Sequence, residues 1–308
     1  MSSFYTAPKL DELDLPPGKR VRLHRLLYDY GPGNGKLLIL PIDQGVEHGP
    51  VDFFANPESK FPRYQFTLAK EGGYSAIALH WGLARKYLHE FAGEVPVILK
   101  LNGKSNVPPD DKPISTCHAT VEDAVYLGAD AVGYTLYFGS SRQDEDIIQL
   151  GEVRQECERL GMPLIIWAYP RGRFIEEKGG RDSFYAIDYA ARFAEELGAD
   201  IIKVNFPKLN PEKDKLSPKP YCELTQPDRE GGPISRKEAL EQIVRSAGRC
   251  FVIMSGGSKR SDEELLKDVE EALQAGVTGF IFGRNMWQRP LNEALKMTER
   301  IKALLAKY

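Results

Sequence analysis

No run of about 18 consecutive apolar residues occurs anywhere in the 308-residue chain, so no membrane-spanning helix is expected. Cysteine is scarce. The four are Cys117, Cys157, Cys222 and Cys250, far apart and without CxxC spacing. That excludes a disulfide framework or a cysteine zinc site and fits free thiols in a reducing compartment. The five histidines show no HxH or HxxxH spacing. No GxGxxG fingerprint is present, which leaves a dinucleotide cofactor without support. An excess of charge of one sign is missing too. The formal net charge is −3, so neither nucleic acid nor a membrane surface is an expected partner. The polar amino terminus lacks the apolar core of a signal peptide. Together these absences predict a cytoplasmic protein.

What the chain does have is a rhythm. Eight short apolar runs recur: "KLLILPID" (36–43), "YSAIALH" (74–80), "VPVILKL" (95–101), "ADAVGYTL" (129–136), "MPLIIWAY" (162–169), "ADIIKVNF" (199–206), "CFVIMSG" (250–256) and "TGFIFGR" (278–284). They are nearly continuous in Ile, Val and Leu, as strands buried on both faces should be. Amphipathic helical stretches separate them. One opens at Ser261 with acids in its first turn and closes at Gly276. The phrase "LGAD" occurs at 127–130 and 197–200, each time joining a helix end to a strand. The expected class is α/β, and eight units of similar size favour a (β/α)8 TIM barrel over a doubly wound open sheet. Residues 1–35 read as an N-terminal extension and 36–308 as one barrel domain. Residues 207–234, rich in proline and charge, follow the sixth strand and read either as a long active-site loop or as a surface insertion.

Barrel enzymes carry their chemistry at the carboxyl ends of the strands. There, Lys203 interrupts an otherwise apolar strand. If Ile202 and Val204 face the helices, Lys203 faces the lumen. Burial would lower its pKa and free a lone pair for attack on a carbonyl, or the lysine pairs with a carboxylate for structure alone. Asp43, ending the first strand, either pairs with that lysine and shuttles protons or caps the next turn. Trp167 and Tyr169 lie two apart on the fifth strand and share a face, as site residues or as core. Lys100 is a second strand lysine, expected as an electrostatic helper. The glycine turns "MSGGSKRS" and "IFGRNMW" follow strands seven and eight, where barrels recurrently bind phosphate. Ser255, Gly256, Gly257, Gly283 and Arg284 are the candidates, with Lys259 a weaker one. Arg171 stands ready for a second anionic group. His48, His80, His118 and Glu47 would gather near the barrel top, but their spacing does not support a metal site, and none is expected.

The segments "LPIDQGVEHGP", "YSAIALHWG", "LIIWAYPRG", "ADIIKVNFPK", "MSGGSK" and "IFGRNMWQRP" resemble, in order, the class I fructose-bisphosphate aldolases of the archaeal and bacterial type. The likeness runs from about residue 25 to residue 305. It implies reversible cleavage of fructose 1,6-bisphosphate to dihydroxyacetone phosphate and glyceraldehyde 3-phosphate. It makes Lys203 the Schiff-base lysine and Tyr169 a proton donor and acceptor, with Asp43 and Trp167 at the site and the two glycine turns on phosphate. It implies no cofactor, because an iminium does the work of a Lewis acid. It also implies a phosphorylated sugar as partner and a homo-oligomer. The alternative is a related Schiff-base synthase or thiolase acting on another sugar phosphate.

Overall fold

Alternate residues of each strand fall into two separate apolar clusters, as a closed barrel requires. The structure is a computed structural model that describes residues 7–257 and 260–308. The strands are β1 (Leu37–Pro41), β2 (Ala76–His80), β3 (Val97–Lys100), β4 (Ala131–Phe138), β5 (Leu164–Pro170), β6 (Ile201–Asn205), β7 (Phe251–Ser255) and β8 (Gly279–Ile281). Each pairs in parallel with the next, and β8 closes on β1. All eight expected strands form. Ile202 and Val204 pack outward with the helix layer, while Ile201, Ile165, Trp167 and Ile253 pack inside the barrel. Lys203 therefore projects into the lumen. A short antiparallel hairpin, Asn102–Gly103 with Thr116–Cys117, adds a feature the apolar pattern did not predict.

The N-terminal extension closes the amino end of the barrel. Leu10, Leu13, Leu23, Leu26 and Leu27 join the interior cluster beside Leu37, Ile165 and Phe251, which lie at or near strand starts. Helix Pro17–His24 is held there by Lys19, whose ammonium donates to Glu158 at 2.6 Å and Asp200 at 2.9 Å. That end of the barrel interior is thus filled by the extension's leucines.

Residues 207–234 follow β6 at the opposite, carboxyl end. They carry two short helices, Pro211–Asp214 and Tyr221–Leu224, the second of which meets helix Phe184–Glu196. Tyr221 stacks edge-on against Phe184 and donates its hydroxyl to Asp188 at 2.7 Å. Among the described residues, none of this segment lines the cleft described below, which favours the surface-insertion reading over the active-site loop. The reason is local: apolar Tyr221, Leu224 and Ile234 pack against the helix layer.

Candidate active site

A polar cleft of about 160 Å³ opens at the carboxyl end of the barrel. Asp43, Tyr169, Arg171 and Lys203 line it, as do Ser255, Gly256, Gly257, Gly283 and Arg284. Residues from β1, β5, β6, β7 and β8, far apart in sequence, thus meet in one place. A larger cavity of about 640 Å³ lies at the amino end, between residues 7–9, Lys36 and Tyr308. It is well away from Lys203, so size does not identify the site; converging chemistry does.

Lys203 is buried, with only 6% of its surface exposed. Burial pulls its ammonium down to about 8; Asp43 and Glu47 act upward, while Lys100 and Arg171 add to the depression. An amine in that range is partly neutral near pH 7.5. Its Nζ donates a short hydrogen bond to the hydroxyl of Tyr169. Burial, then Glu47 and Asp43, hold the Tyr169 hydroxyl well above its usual range, so it rests as a phenol. Arg171 stacks over the Tyr169 ring at 5.1 Å, and its Nη1 donates to the Pro170 carbonyl.

Asp43 occupies the N-cap position of helix Gln44–His48, yet its side chain makes no capping bond. The carboxylate is buried and faces the cleft. That disposes of the capping alternative. Trp167 is corrected in the other direction. It lies opposite Lys203 in the β5–β6 ladder, fully buried, with Lys203 and Lys100 each 5.2 Å from its ring. It is a floor beneath the amine and does not line the cleft, because its inward position is one layer below that of Tyr169.

Lys100 is fully enclosed and burial lowers its pKa. Its three donors go to Asn102 O at 3.0 Å, Asn102 Oδ1 at 3.1 Å and Thr135 Oγ1 at 2.6 Å. It does not line the cleft and acts on Lys203 electrostatically, lowering its pKa, which fits the helper role. His80 donates or accepts with His118 at 3.0 Å, and burial and Lys100 depress His80 to about 4. His48 pairs with Asp52 at 2.6 Å. Among the described residues no three His, Cys, Asp or Glu side chains gather as metal ligands.

The two glycine turns follow neighbouring strands and lie side by side in the cleft lining. A Cβ on Gly256 would come within 2.8 Å of the Phe282 ring, and one on Gly283 within 2.5 Å of Gln44 Nε2. Glycine at 256 therefore lets the β7 turn approach β8, and glycine at 283 lets the β8 turn approach the loop after β1. Arg284 spans them, donating to Gly257 O at 3.0 Å. Lys259 lies outside the described residues. Sequence reasoning missed Asn205, which bonds Ser255 Oγ, and Gln44 and Asn285, which line the cleft. Asn205 was findable: it stands two residues after Lys203 on the same strand face. Glu47 had been weighed only as a metal ligand, whereas it acts electrostatically on Lys203 and Tyr169.

The chain belongs to the DeoC/LacD aldolase family, whose pattern matches residues 37–289. Within that class it is similar to the class 1 fructose-bisphosphate aldolase of Thermoproteus tenax, at 37% identity over 88% of this chain and 90% of that one. The corresponding protein of Halobacterium salinarum is 38% identical over 83% and 86%. Among solved structures it is similar to an archaeal fructose-1,6-bisphosphate aldolase whose catalytic lysine is covalently bound to the carbinolamine intermediate of the substrate. The TM-score is 0.76 and the identity 34%, over 92% of this chain and 99% of that one. A fructose-bisphosphate aldolase from Slackia heliotrinireducens superposes with a TM-score of 0.82 at 26% identity, covering 98% and 92%.

Proposed function

We propose that this protein is a class I fructose-bisphosphate aldolase, cleaving fructose 1,6-bisphosphate reversibly through a Schiff base on Lys203. The observation that carries the reading is a lumen lysine with a pKa near 8, bonded to a buried phenol and facing two glycine turns. The family and the relatives support the substrate.

The neutral Nζ of Lys203 attacks the C2 ketone, and Asp43 moves a proton from the new ammonium to the alkoxide, giving a carbinolamine. Tyr169, held as a phenol, protonates the departing hydroxyl. Water leaves, the iminium forms, and the phenolate remains beside its positive charge. That phenolate takes the proton of the C4 hydroxyl. The C3–C4 bond then breaks, its electrons neutralise the iminium as an enamine, and glyceraldehyde 3-phosphate departs. Protonation at C3 and hydrolysis release dihydroxyacetone phosphate. Trp167 and Lys100 fix the electrostatic floor beneath the amine. Ser255, Gly256, Gly257, Gly283 and Arg284 receive the phosphate nearer C2, because β7 adjoins β6. Arg171 lies toward the far end, beyond the C4 hydroxyl on which Tyr169 acts.

The test is borohydride reduction with dihydroxyacetone phosphate, followed by peptide mass analysis. A reduced adduct on Lys203 is expected, together with turnover of fructose 1,6-bisphosphate. Turnover without an adduct at Lys203 overturns the mechanism. An adduct without turnover of this sugar favours the related synthase or thiolase chemistry on another sugar phosphate.

A further inference from the structure

The larger cavity at the amino end has a chemistry of its own. Lys36 directly precedes β1, Phe251 opens β7 and Thr278 directly precedes β8, and all three line it. It shares no lining residue with the cleft, which sits at the other end of the same strands. Its volume of about 640 Å³ suits a small organic molecule and far exceeds what an inorganic ion fills. The walls are mixed. Phe251 and Leu273 give buried apolar surface, while Tyr28 and Tyr308 present partly exposed rings.

Lys36 is the odd group on that wall. The turn before it carries Gly33 and Gly35 at φ of +73° and +86°, and Gly35 N donates to Leu27 O at 3.0 Å, which fixes the chain's entry into β1. The Lys36 side chain is half-buried. Lys19 has two carboxylates and Lys100 three oxygens, but Lys36 donates only to Val277 O, at a long 3.4 Å. Among the described residues no charged neighbour acts on it, and burial alone pulls its pKa down. A cation taken partly out of water with donors unplaced costs free energy, and an anion against it offsets that cost. The rest of the cavity does not supply the missing charge. Its lining holds Lys9, Lys36 and Arg245 against one acidic side chain, Glu241. That carboxylate is already shared between Arg245 at 3.8 Å and Lys237 at 3.9 Å.

We propose that this cavity is a second ligand site, separate from the Schiff-base cleft, and that it takes a small organic anion whose negative group docks on Lys36 and whose apolar body lies against Phe251 and Leu273. The inference does not rest on the aldolase reading. Lys9 and Arg245 add positive potential around the head group, and the tyrosine rings cover the body of the ligand. Phosphate and carboxylate heads satisfy the same ammonium donors, so the shared chemistry is a compact anionic oxygen group on an apolar frame.

Site-resolved acetylation tests this. The protein is treated with a trace of acetic anhydride, and the rate at each lysine is read by peptide mass analysis, with exposed Lys60 as the internal reference. Three probes share one ring: phenyl phosphate, benzoate and neutral benzamide. Phenyl phosphate, benzoate or both should slow acetylation of Lys36 and Lys9 roughly several-fold and saturably, and benzamide should not. The anion that acts at the lower concentration identifies the head group. In Lys36→Met, protection of Lys9 should require roughly tenfold more of that anion, reflecting the loss of one charge-assisted hydrogen bond. Equal protection by benzamide would make this an apolar pocket only, and no protection by any probe would make Lys36 a solvated surface cation. Either result overturns the proposal, as does undiminished protection of Lys9 in Lys36→Met. Each lysine reports separately, so anion binding at the glycine turns, or any outcome at Lys203, leaves the readout untouched.

Discussion

Two lysines are buried at opposite ends of the barrel, and the contrast between them supports the Schiff-base role proposed for one of them. Lys19, in the amino-end plug, is 2% exposed; Lys203, at the carboxyl end, is 6% exposed. Burial pushes both ammonium groups down. At Lys19, Asp200 and Glu158 outweigh it through attraction and direct hydrogen bonds, and the group ends above its ordinary value. At Lys203, Asp43 and Glu47 pull upward less strongly, Lys100 and Arg171 push down, and the group falls to about 8. Burial alone thus makes no nucleophile. A buried lysine given its own carboxylates is a bolt; one given a phenol and two neighbouring cations has the lowered pKa that the proposed Schiff-base role requires.

The sharpest way to break this comparison is to remove both amines in turn. Lys203→Met should reduce turnover of fructose 1,6-bisphosphate at least roughly a thousandfold, equivalent to about 4 kcal/mol of transition-state stabilisation. Lys19→Met should act on the fold instead. It leaves Asp200 buried without its cation, at a cost of about 3–5 kcal/mol in denaturant unfolding, while the protein that remains folded keeps its turnover. If Lys19→Met were neutral for stability, the plug would not depend on this ion network.

The same contrast has a signature in pH. For Lys203 the folded-state pKa of about 8 lies below the ordinary 10.5. Below pH 8 the folded protein holds a proton in an unfavourable place; between 8 and 10.5 the unfolded chain binds more protons, and stability rises with pH. The full penalty is on the order of 3 kcal/mol. Lys203→Met should therefore stabilise the fold by about 1–3 kcal/mol at pH 7, and the gain should vanish as pH approaches 10.5. Destabilisation at pH 7 would mean that the lysine is held for structure. In the wild type, kcat/KM should climb with pH and level off above about 8. The smallest effect belongs to Lys100→Met. Removing a cation that depresses Lys203 should move that limb upward by less than about one pH unit; a downward shift would deny Lys100 its helper role.

Much of this was legible from residues alone. The eight strands announced themselves because a parallel barrel strand is buried on both faces and leaves an unbroken apolar run. Lys203 stood out for the same reason, as a charge flanked by apolar residues within such a run, with Lys100 the second lysine of that kind. The short hairpin after β3 was illegible because its four residues carry no periodicity. The insertion at 207–234 was ambiguous because proline and charge do not say which surface a loop crosses. Its anchoring by Tyr221 to Asp188 and Phe184 depends on side chains far apart in sequence.

By itself, then, the order of amino acids determined the alternation of strand and helix, the lumen-facing position of Lys203 and the glycine turns after β7 and β8. These are consequences of periods two and 3.6, which act over a few residues. Only the tertiary structure decided that the Lys203 amine meets the Tyr169 hydroxyl in the cleft and that Trp167 lies beneath that amine. Those outcomes depend on electrostatic and packing interactions across barrel closure, between groups brought within a few ångströms by the fold and by nothing in their spacing along the chain.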